Sequence, residues 1–202
     1  MKNKVKNDNR SKKNKTDDFD HVIDAAFKLV DERGWKKLLL KDIAEETKLS
    51  LSELCKIVSS KSAILIEFQN RTDVHVIDSV SLEGSSYRDR LFEVLMCRFD
   101  IFQPYRNPIK KIITEFGCNP LTALLHGPQL FKSMALMLET AGINSSGIKG
   151  ILRVKGLTFI YIHTLRIWLN DNSPDLSETM ASLDRDLTNA ERLIERLGPS
   201  KK

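Results

Sequence analysis

The sequence has few of the residues that mark secreted, fibrous or disordered proteins. Its 202 residues include only 3 Cys, 6 Pro and 9 Gly, and 7% of them are aromatic. The cysteines form no CxxC pair, which argues against a zinc site or a disulfide framework and favours reduced thiols in a cytoplasmic protein. A hydrophobic content of 41% suffices for a core and excludes a mainly disordered chain.

A long uninterrupted hydrophobic run is also missing. The most apolar stretch, residues 148–169, is broken by Lys149, Arg153, Lys155 and Arg166. Each charge at the centre of a bilayer costs a few kcal/mol, so we expect no transmembrane segment.

Motifs of catalysis are absent from the sequence. The 4 His are scattered, with no HExxH pair, and neither a GxSxG motif nor a phosphate-binding loop is present. We therefore expect no enzyme activity, no metal site and no cofactor.

The positive charge is concentrated at the N terminus. Residues 1–16 carry seven Lys and Arg against one Asp, a net charge of +6, whereas residues 17–73 carry −3. The tail lacks an apolar segment, so it is no signal peptide, and its Asn-rich composition without aromatics predicts disorder. Its cations fit either an arm that contacts phosphates of DNA or an anionic surface, or a solvated tail that promotes solubility.

Apolar residues recur at helical spacing almost throughout, which predicts an all-α protein of about nine helices. The first helix carries an apolar stripe formed by Val22, Ile23, Ala26, Phe27 and Val30. The following helices are predicted at 40–47, 51–58, 61–81, from Ser85 or Ser86 to about 103, 109–116, 120–126, from Pro128 onward, 148–170 and 174–197. The start at 174 is indicated by Asn172-Ser173-Pro174-Asp175.

Residues 40–57 have the pattern of a helix-turn-helix. The residues predicted to face inward are Leu40, Ile43 and Ala44 from one helix, Leu49 from the turn, and Leu54 and Ile57 from the next helix. A small residue such as Ala44 permits two helices to cross closely, and the other side of the second helix is then open to a major groove. The alternative is a pair of helices in an ordinary bundle.

The N-terminal part resembles the tetracycline-repressor (TetR) family. The matching residues are VIDAAFKLVDERGW (22–35), DIAEETKLS (42–50) and the Ser60-Lys61 pair. The resemblance implies a DNA-binding head at residues 17–60 and a helical ligand-binding and dimerisation domain at residues 61–198. The residues that we expect to contact double-stranded DNA are Lys41, Ser50, Leu51, Ser52, Glu53, Lys56 and Lys61.

The chain departs from the TetR pattern at several positions of the head. Leu39 stands where the family usually has a capping Ser or Thr, and Lys48 stands where Gly fits a turn with positive φ. Cys55 replaces a Tyr that contacts phosphate, and Glu53 places a carboxylate on the expected DNA face. We therefore expect weak binding by the head alone, with the basic tail adding phosphate contacts.

The C-terminal half resembles the ubiquinone-biosynthesis accessory family, which consists of lipid-binding proteins. The matching stretches are YRDRLFEVLMCRFD (87–100), RVKGLTFIYIHTLRIWLNDNSPDL (153–176) and ETMASLDRDL (178–187). The resemblance implies a pocket for an isoprenoid or another apolar lipid. The candidate pocket residues are Phe92, Met96, Phe99, Met134, Met137, Phe159 and Trp168, which would equally suit a bundle core or a dimer interface.

Two hypotheses of function remain. The first is a ligand-responsive transcriptional regulator that dimerises through helices 148–170 and 174–197. The second is a lipid-binding accessory protein of ubiquinone biosynthesis with a vestigial DNA-binding head.

Overall fold

The computed structural model describes residues 2–81, 86–116 and 120–197. No strand occurs in these ranges, and the predicted all-α class is confirmed. The helices are α1 (Lys2–Arg33), α2 (Leu40–Thr47), α3 (Leu51–Ile57), α4 (Lys61–Ser79), α5 (Tyr87–Phe102), α6 (Arg106–Phe116), α7 (Pro120–Thr140), α8 (Gly147–Trp168) and α9 (Ser177–Leu197), with one 3₁₀ turn at Gln103–Tyr105.

The first helix is longer than the sequence pattern indicates. It begins at Lys2, so residues 2–16 are helical, in contrast to the disorder expected there. No Gly or Pro interrupts residues 2–33, and adding a residue to an existing helix costs far less than nucleating a new one. The packed residues Val22–Val30 provide that nucleus, since each residue of the predicted stripe is buried.

Two predicted helix boundaries in the C-terminal half are wrong. Pro128 lies inside a continuous α7, although two separate helices were expected on either side of it. The φ angle that the proline ring fixes is close to the helical value. Pro128 therefore removes one backbone N–H donor without ending the helix. The last helix begins at Ser177 and not at 174, because Leu176 adopts a left-handed conformation with φ of 56° that no α-helix accommodates.

The described residues divide into two compact units. The first contains Gln69 and the described residues before it, together with Tyr105–Phe116. The predicted head, residues 17–60, lies within this unit. The α6 helix also belongs to it, a packing that no spacing in the sequence indicates.

Aromatic rings fill the centre of the first unit. The ring of Phe27 lies 4.6 Å from that of Phe68 and 5.1 Å from that of Tyr105, centroid to centroid. The Tyr105 hydroxyl donates to Asp24 Oδ1 at 2.8 Å. Burial and this acceptor raise the pKa of Tyr105 to about 12, so its hydroxyl keeps the donated proton at neutral pH.

The second unit, which contains the described residues of 70–104 and 120–197, has a charged pair inside its core. Arg98 of α5 is fully buried and forms an ion pair with the buried Asp73 of α4. Asp73 also accepts from Ser133 Oγ of α7 at 2.5 Å, and Arg98 Nε donates to the Tyr161 hydroxyl of α8 at 3.3 Å. Four helices therefore meet at one set of hydrogen bonds that compensates the two buried charges.

A second buried carboxylate fixes the start of α9. Asp171 is fully buried and accepts from the backbone N–H groups of Ser173 and Thr179, each at 2.9 Å, and from both hydroxyls. Burial alone would raise the pKa of Asp171, but these hydrogen bonds outweigh it and lower the pKa well below its usual range. The carboxylate thus caps the helix from a position outside it.

We expect Asp171→Asn to lower the free energy of unfolding by about 2–3 kcal/mol, because the new amide cannot accept all four hydrogen bonds. The pKa of Asp171 is lowered in the folded protein, so its contribution is complete at neutral pH. That contribution shrinks once the pH falls below the unfolded value and is lost as the pH falls through the folded pKa. Urea denaturation at about pH 7 and about pH 3 measures both effects. Asp175→Asn, at an exposed neighbouring position, is the control, and equal stability of the two variants would contradict the assigned role.

Candidate nucleic-acid interface

The α2 and α3 helices pack as the sequence predicts for a helix-turn-helix. Ile43, Ala44 and Leu54 are buried. Leu40, Leu49 and Ile57 are half-buried at the edges of the same contact. The buried side of α3 is thus defined by Leu54 and by Val58, which directly follows the helix.

The turn between the two helices has a left-handed residue at its centre. Lys48 has φ of 57° and ψ of 27°, which confirms the positive φ expected at this position. Its conformation directs the Leu49 N–H to the Ala44 carbonyl at 2.9 Å, and the Lys48 N–H reaches the Glu45 carbonyl at 3.2 Å. Carbonyl groups at the end of α2 are thereby satisfied, as in a standard helix C-terminus.

The start of α2 is capped without the usual Ser or Thr. Leu39 is exposed and its side chain makes no capping hydrogen bond. The Asp42 carboxylate accepts from the Leu39 N–H at 2.8 Å and lies 3.4 Å from Arg33. Asp42 therefore takes over part of the capping that a hydroxyl would provide.

The start of α3 is a complete capping box. Ser50 Oγ accepts from the Glu53 N–H at 3.2 Å, and the Glu53 carboxylate accepts from the Ser50 N–H at 2.9 Å and from its hydroxyl at 2.7 Å. These hydrogen bonds lower the pKa of Glu53. Two of the predicted DNA-contacting residues are thus occupied in starting the helix, which the Ser-x-x-Glu spacing could have indicated.

The acidic residues of α2 have basic partners within the same unit. Glu46 lies 2.6 Å from Lys28, an ion pair that lowers the pKa of Glu46. Glu45 lies 3.5 Å from Lys41, another of the predicted DNA-contacting residues. These ion pairs leave the net charge of residues 17–73 at −3, since the paired Lys and Arg are already counted in it.

The outer side of α3 presents the remaining predicted residues. Leu51 is 48% exposed, and Ser52 and Lys56 are exposed as well. Cys55, at the position where the resemblance leads one to expect Tyr, also lies on this side. The structure thus brings four neighbouring exposed side chains together on a single helix face.

Lys61 opens α4 but is held by the loop after α1. Its ammonium donates to the Trp35 carbonyl at 2.8 Å and lies 5.2 Å from the centroid of the Trp35 ring. Partial burial lowers the pKa of Lys61. The Lys61 ammonium has three N–H donors, of which the Trp35 carbonyl takes one. The contact of Lys61 with a DNA phosphate stays a prediction.

The predicted pocket residues of the second unit divide into three groups. Phe99, Met134, Met137 and Trp168 are fully buried, and Phe92 and Met96 are half-buried. Phe159 is 75% exposed and therefore does not lie in the core with the other six. Tyr161 and Trp168 lie on the inward side of α8. Phe159 stands two positions before Tyr161 and therefore lies on the opposite side of the helix.

The sequence pattern missed the polar part of this core. Arg98, Asp73 and Ser133 stand at helical positions where their charge or polarity suggested solvent. Phe99 stacks on Tyr161 with a centroid distance of 5.6 Å, and Trp168 Nε1 donates to Gln103 Oε1 at 3.0 Å. No sequence signal indicates such a network, because it joins residues far apart in the chain.

Within the described ranges, no group of three His, Cys, Asp or Glu residues is placed to hold a metal ion. In the same part of the chain, the helices are all too short or too polar to cross a membrane.

Lys48→Gly should raise the free energy of unfolding by about 0.5–1 kcal/mol, because glycine has no Cβ to oppose the left-handed conformation. Lys48→Ala keeps a Cβ and should leave stability within about 0.5 kcal/mol of the parent. Urea denaturation of the parent protein and the two variants compares their free energies of unfolding. A glycine variant no more stable than the alanine variant would show that the turn carries no strain.

Known proteins resemble the chain in two ways. Residues 152–194, which span most of α8 and α9, match the COQ9 family model. The solved structure of a TetR transcriptional regulator from Nitrosomonas europaea ATCC 19718 has a TM-score of 0.72 at 21% identity, covering 86% of this chain and 98% of that one. A TetR transcriptional regulator from Rhodococcus sp. RHA1 has a TM-score of 0.61 at 14% identity, covering 84% and 92%. No curated protein matches at the sequence level. The chain therefore has the fold of these TetR regulators over most of its length, and its α8–α9 segment resembles COQ9.

Proposed function

We propose that this chain is a DNA-binding transcriptional regulator of the TetR type that acts as a homodimer. The observation that carries the proposal is the orientation of α3, whose inner side is buried by Leu54 while its outer side is exposed from Leu51 to Lys56. A helix held in this way can enter a major groove, and its partner α2 then lies across the backbone.

The head offers a few cations for contact with DNA. The carboxylates of Glu45 and Glu46 are each paired with a lysine, which reduces their repulsion of phosphates, whereas Glu53 is hydrogen-bonded to the neutral Ser50 and keeps its negative charge. Lys48 and Lys56 are both exposed. The net charge of +6 over residues 1–16 adds cations for further phosphate contacts, each of which releases counterions.

Exposed apolar residues on the last two helices support dimerisation. Ile148 is 82% exposed, Leu152 64% and Phe159 75%, and all three lie along one side of α8. Leu193 and Ile194 are exposed near the end of α9. Exposed apolar side chains grouped along one side of a helix are typical of an interface, although the exposed Lys155 lies on this side between Leu152 and Phe159. Pairing α8 and α9 across a two-fold axis would bury these side chains. The dimer would place two copies of α3 in major grooves about 34 Å apart.

Ligand response is part of the same proposal. The candidate ligand site lies around Phe99, Met134, Met137 and Trp168, with an apolar lipid as the expected ligand. Such a ligand changes DNA affinity only as far as it binds one state of the dimer better than the other, typically by about 1–3 kcal/mol.

A duplex containing the chain's own upstream DNA, titrated over a series of salt concentrations, tests DNA binding. We expect Lys56→Gln to weaken binding to every duplex alike and to reduce the slope of log K against log salt by about 1 per subunit, because one phosphate contact is lost. Lys132→Gln removes the same charge from an exposed position on α7 and should leave both quantities unchanged.

Absence of sequence-dependent DNA binding at low salt would refute the proposal that the chain is a transcriptional regulator. It would leave the second candidate, a lipid-binding accessory protein, which the COQ9 match of residues 152–194 favours. Organic extraction of the purified protein followed by mass spectrometry tests that candidate through a stoichiometric co-purified lipid.

Phe159→Glu should dissociate the dimer, since it places a carboxylate in the middle of the exposed apolar side of α8. We expect the dimer dissociation constant to rise by at least about 30-fold, the effect of losing an interface hot spot. Sedimentation equilibrium over a range of concentrations measures it. Phe131→Glu is the matched control, because Phe131 is an exposed phenylalanine on α7. A dimer equally stable in both variants would exclude α8 from the interface.

A further inference from the structure

The exposed side of α3 consists of two rows. Residues four apart in a helix lie one above the other, so Leu51 and Cys55 form an apolar row. Ser52 and Lys56 form a polar row beside it, about 100° further around the helix axis. All four side chains are exposed, and Leu51 keeps 48% of its surface in solvent.

The head has an unusual composition for a protein that reads DNA bases. Residues 34–68, which include α2, α3 and both flanking loops, contain no Arg, Asn or Gln. Arg, Asn and Gln, together with Lys, make the bidentate hydrogen bonds that distinguish guanine and adenine in the major groove. Glu53, which would accept from cytosine, directs Oε2 of its carboxylate to the backbone and side chain of Ser50. Within α3, Lys56 is therefore the one exposed side chain of these four types, and the bidentate contacts of Arg, Asn and Gln are not available to this helix.

Apolar contact remains as a means of reading sequence. Thymine is the one base of DNA that places a methyl group in the major groove, and aliphatic side chains recognise it. Leu51 offers an exposed isobutyl group, and Cys55 behaves as a small hydrophobic side chain. One helical turn separates them by roughly 5.4 Å, and successive bases on one strand are roughly 3.4 Å apart, so the row spans one to two base steps.

We propose that Leu51 and Cys55 determine operator specificity by contacting the 5-methyl groups of thymines one or two steps apart in each half-site. Ser52 and Lys56 then fix the register through the DNA backbone. The inference rests on the proposed function, because it assigns a sequence preference to the same helix face.

Selection from a pool of random duplexes, with the full chain at low salt, provides the preferred half-site. Each thymine of that half-site is then replaced by deoxyuridine, which keeps every hydrogen-bonding group and removes only the methyl. We expect thymines in the selected half-site and a loss of affinity of roughly four-fold for each contacted methyl, the effect of one buried carbon.

Variants assign the methyl contact to its side chain. Leu51→Ala should lose the preference for thymine over deoxyuridine at the position that Leu51 contacts and keep it at the position that Cys55 contacts, with the salt dependence of the parent. Lys56→Gln should keep the preference for thymine while its salt dependence falls. Leu136→Ala, at an exposed leucine on α7, should behave as the parent in both respects. Because Leu51 is exposed, its truncation should leave the thermal unfolding midpoint nearly unchanged, which circular dichroism verifies.

The outcomes separate this inference from the proposed function. Two results would overturn the methyl contact and leave the proposed function intact. One is sequence-dependent binding that deoxyuridine does not affect, and the other is a Leu51→Ala variant that keeps the full preference for thymine. Lack of sequence-dependent binding by the parent protein overturns both.

Discussion

The burial of Leu54 decides what the first unit offers to solvent. The α3 helix has seven residues, which is too short to be stable alone, so its conformation and orientation come from packing. With Leu54 and Val58 in the core, the side that carries Leu51 to Lys56 has to face outward. The capping box of Ser50 and Glu53 adds a defined start. A short helix thereby becomes a rigid carrier of four exposed side chains.

The second unit depends on a different kind of interaction. Arg98 and Asp73 are buried charges, and their pairing with Ser133 and Tyr161 joins helices that hydrophobic packing alone would allow to slide. Removing one member of such a pair typically costs about 3–5 kcal/mol, whereas replacing the whole set by apolar residues can be neutral. Loss of Arg98 or Asp73 alone is therefore expected to be costly, because it leaves the other charge buried without its partner.

The sequence was sufficient to predict the fold where local periodicity determines it. The stripe from Val22 to Val30, the crossing at Ala44 and the turn at Lys48 each follow from spacing and backbone preference, and each is present. Prediction failed where a specific capping hydrogen bond or an unusual backbone conformation decides the outcome. The start of α9 is set by Asp171, and Leu176 delays it.

In the candidate sites too, the helical period predicts some positions, whereas specific contacts between side chains decide others. The outer side of α3 follows from the helical period, whereas the hydrogen bonds between Glu53 and Ser50 depend on the capping geometry at the start of the helix. The size of Phe159 suggests a pocket residue, but the helical period relative to Tyr161 places it on the opposite side of α8, where it is exposed. The buried position of Arg98 depends on partners from three other helices, which no single window of sequence contains.

The environments of the two thiols in the described residues differ. Cys55 is exposed on α3, whereas Cys97 is half-buried on α5. Burial, with Asp100 and Glu93 nearby, raises the pKa of Cys97 and suppresses its thiolate. A maleimide fluorophore at neutral pH therefore modifies Cys55 before Cys97. Of the two thiols in the described residues, Cys55 is thus the natural attachment point for an optical reporter, one turn from Leu51 on the same face.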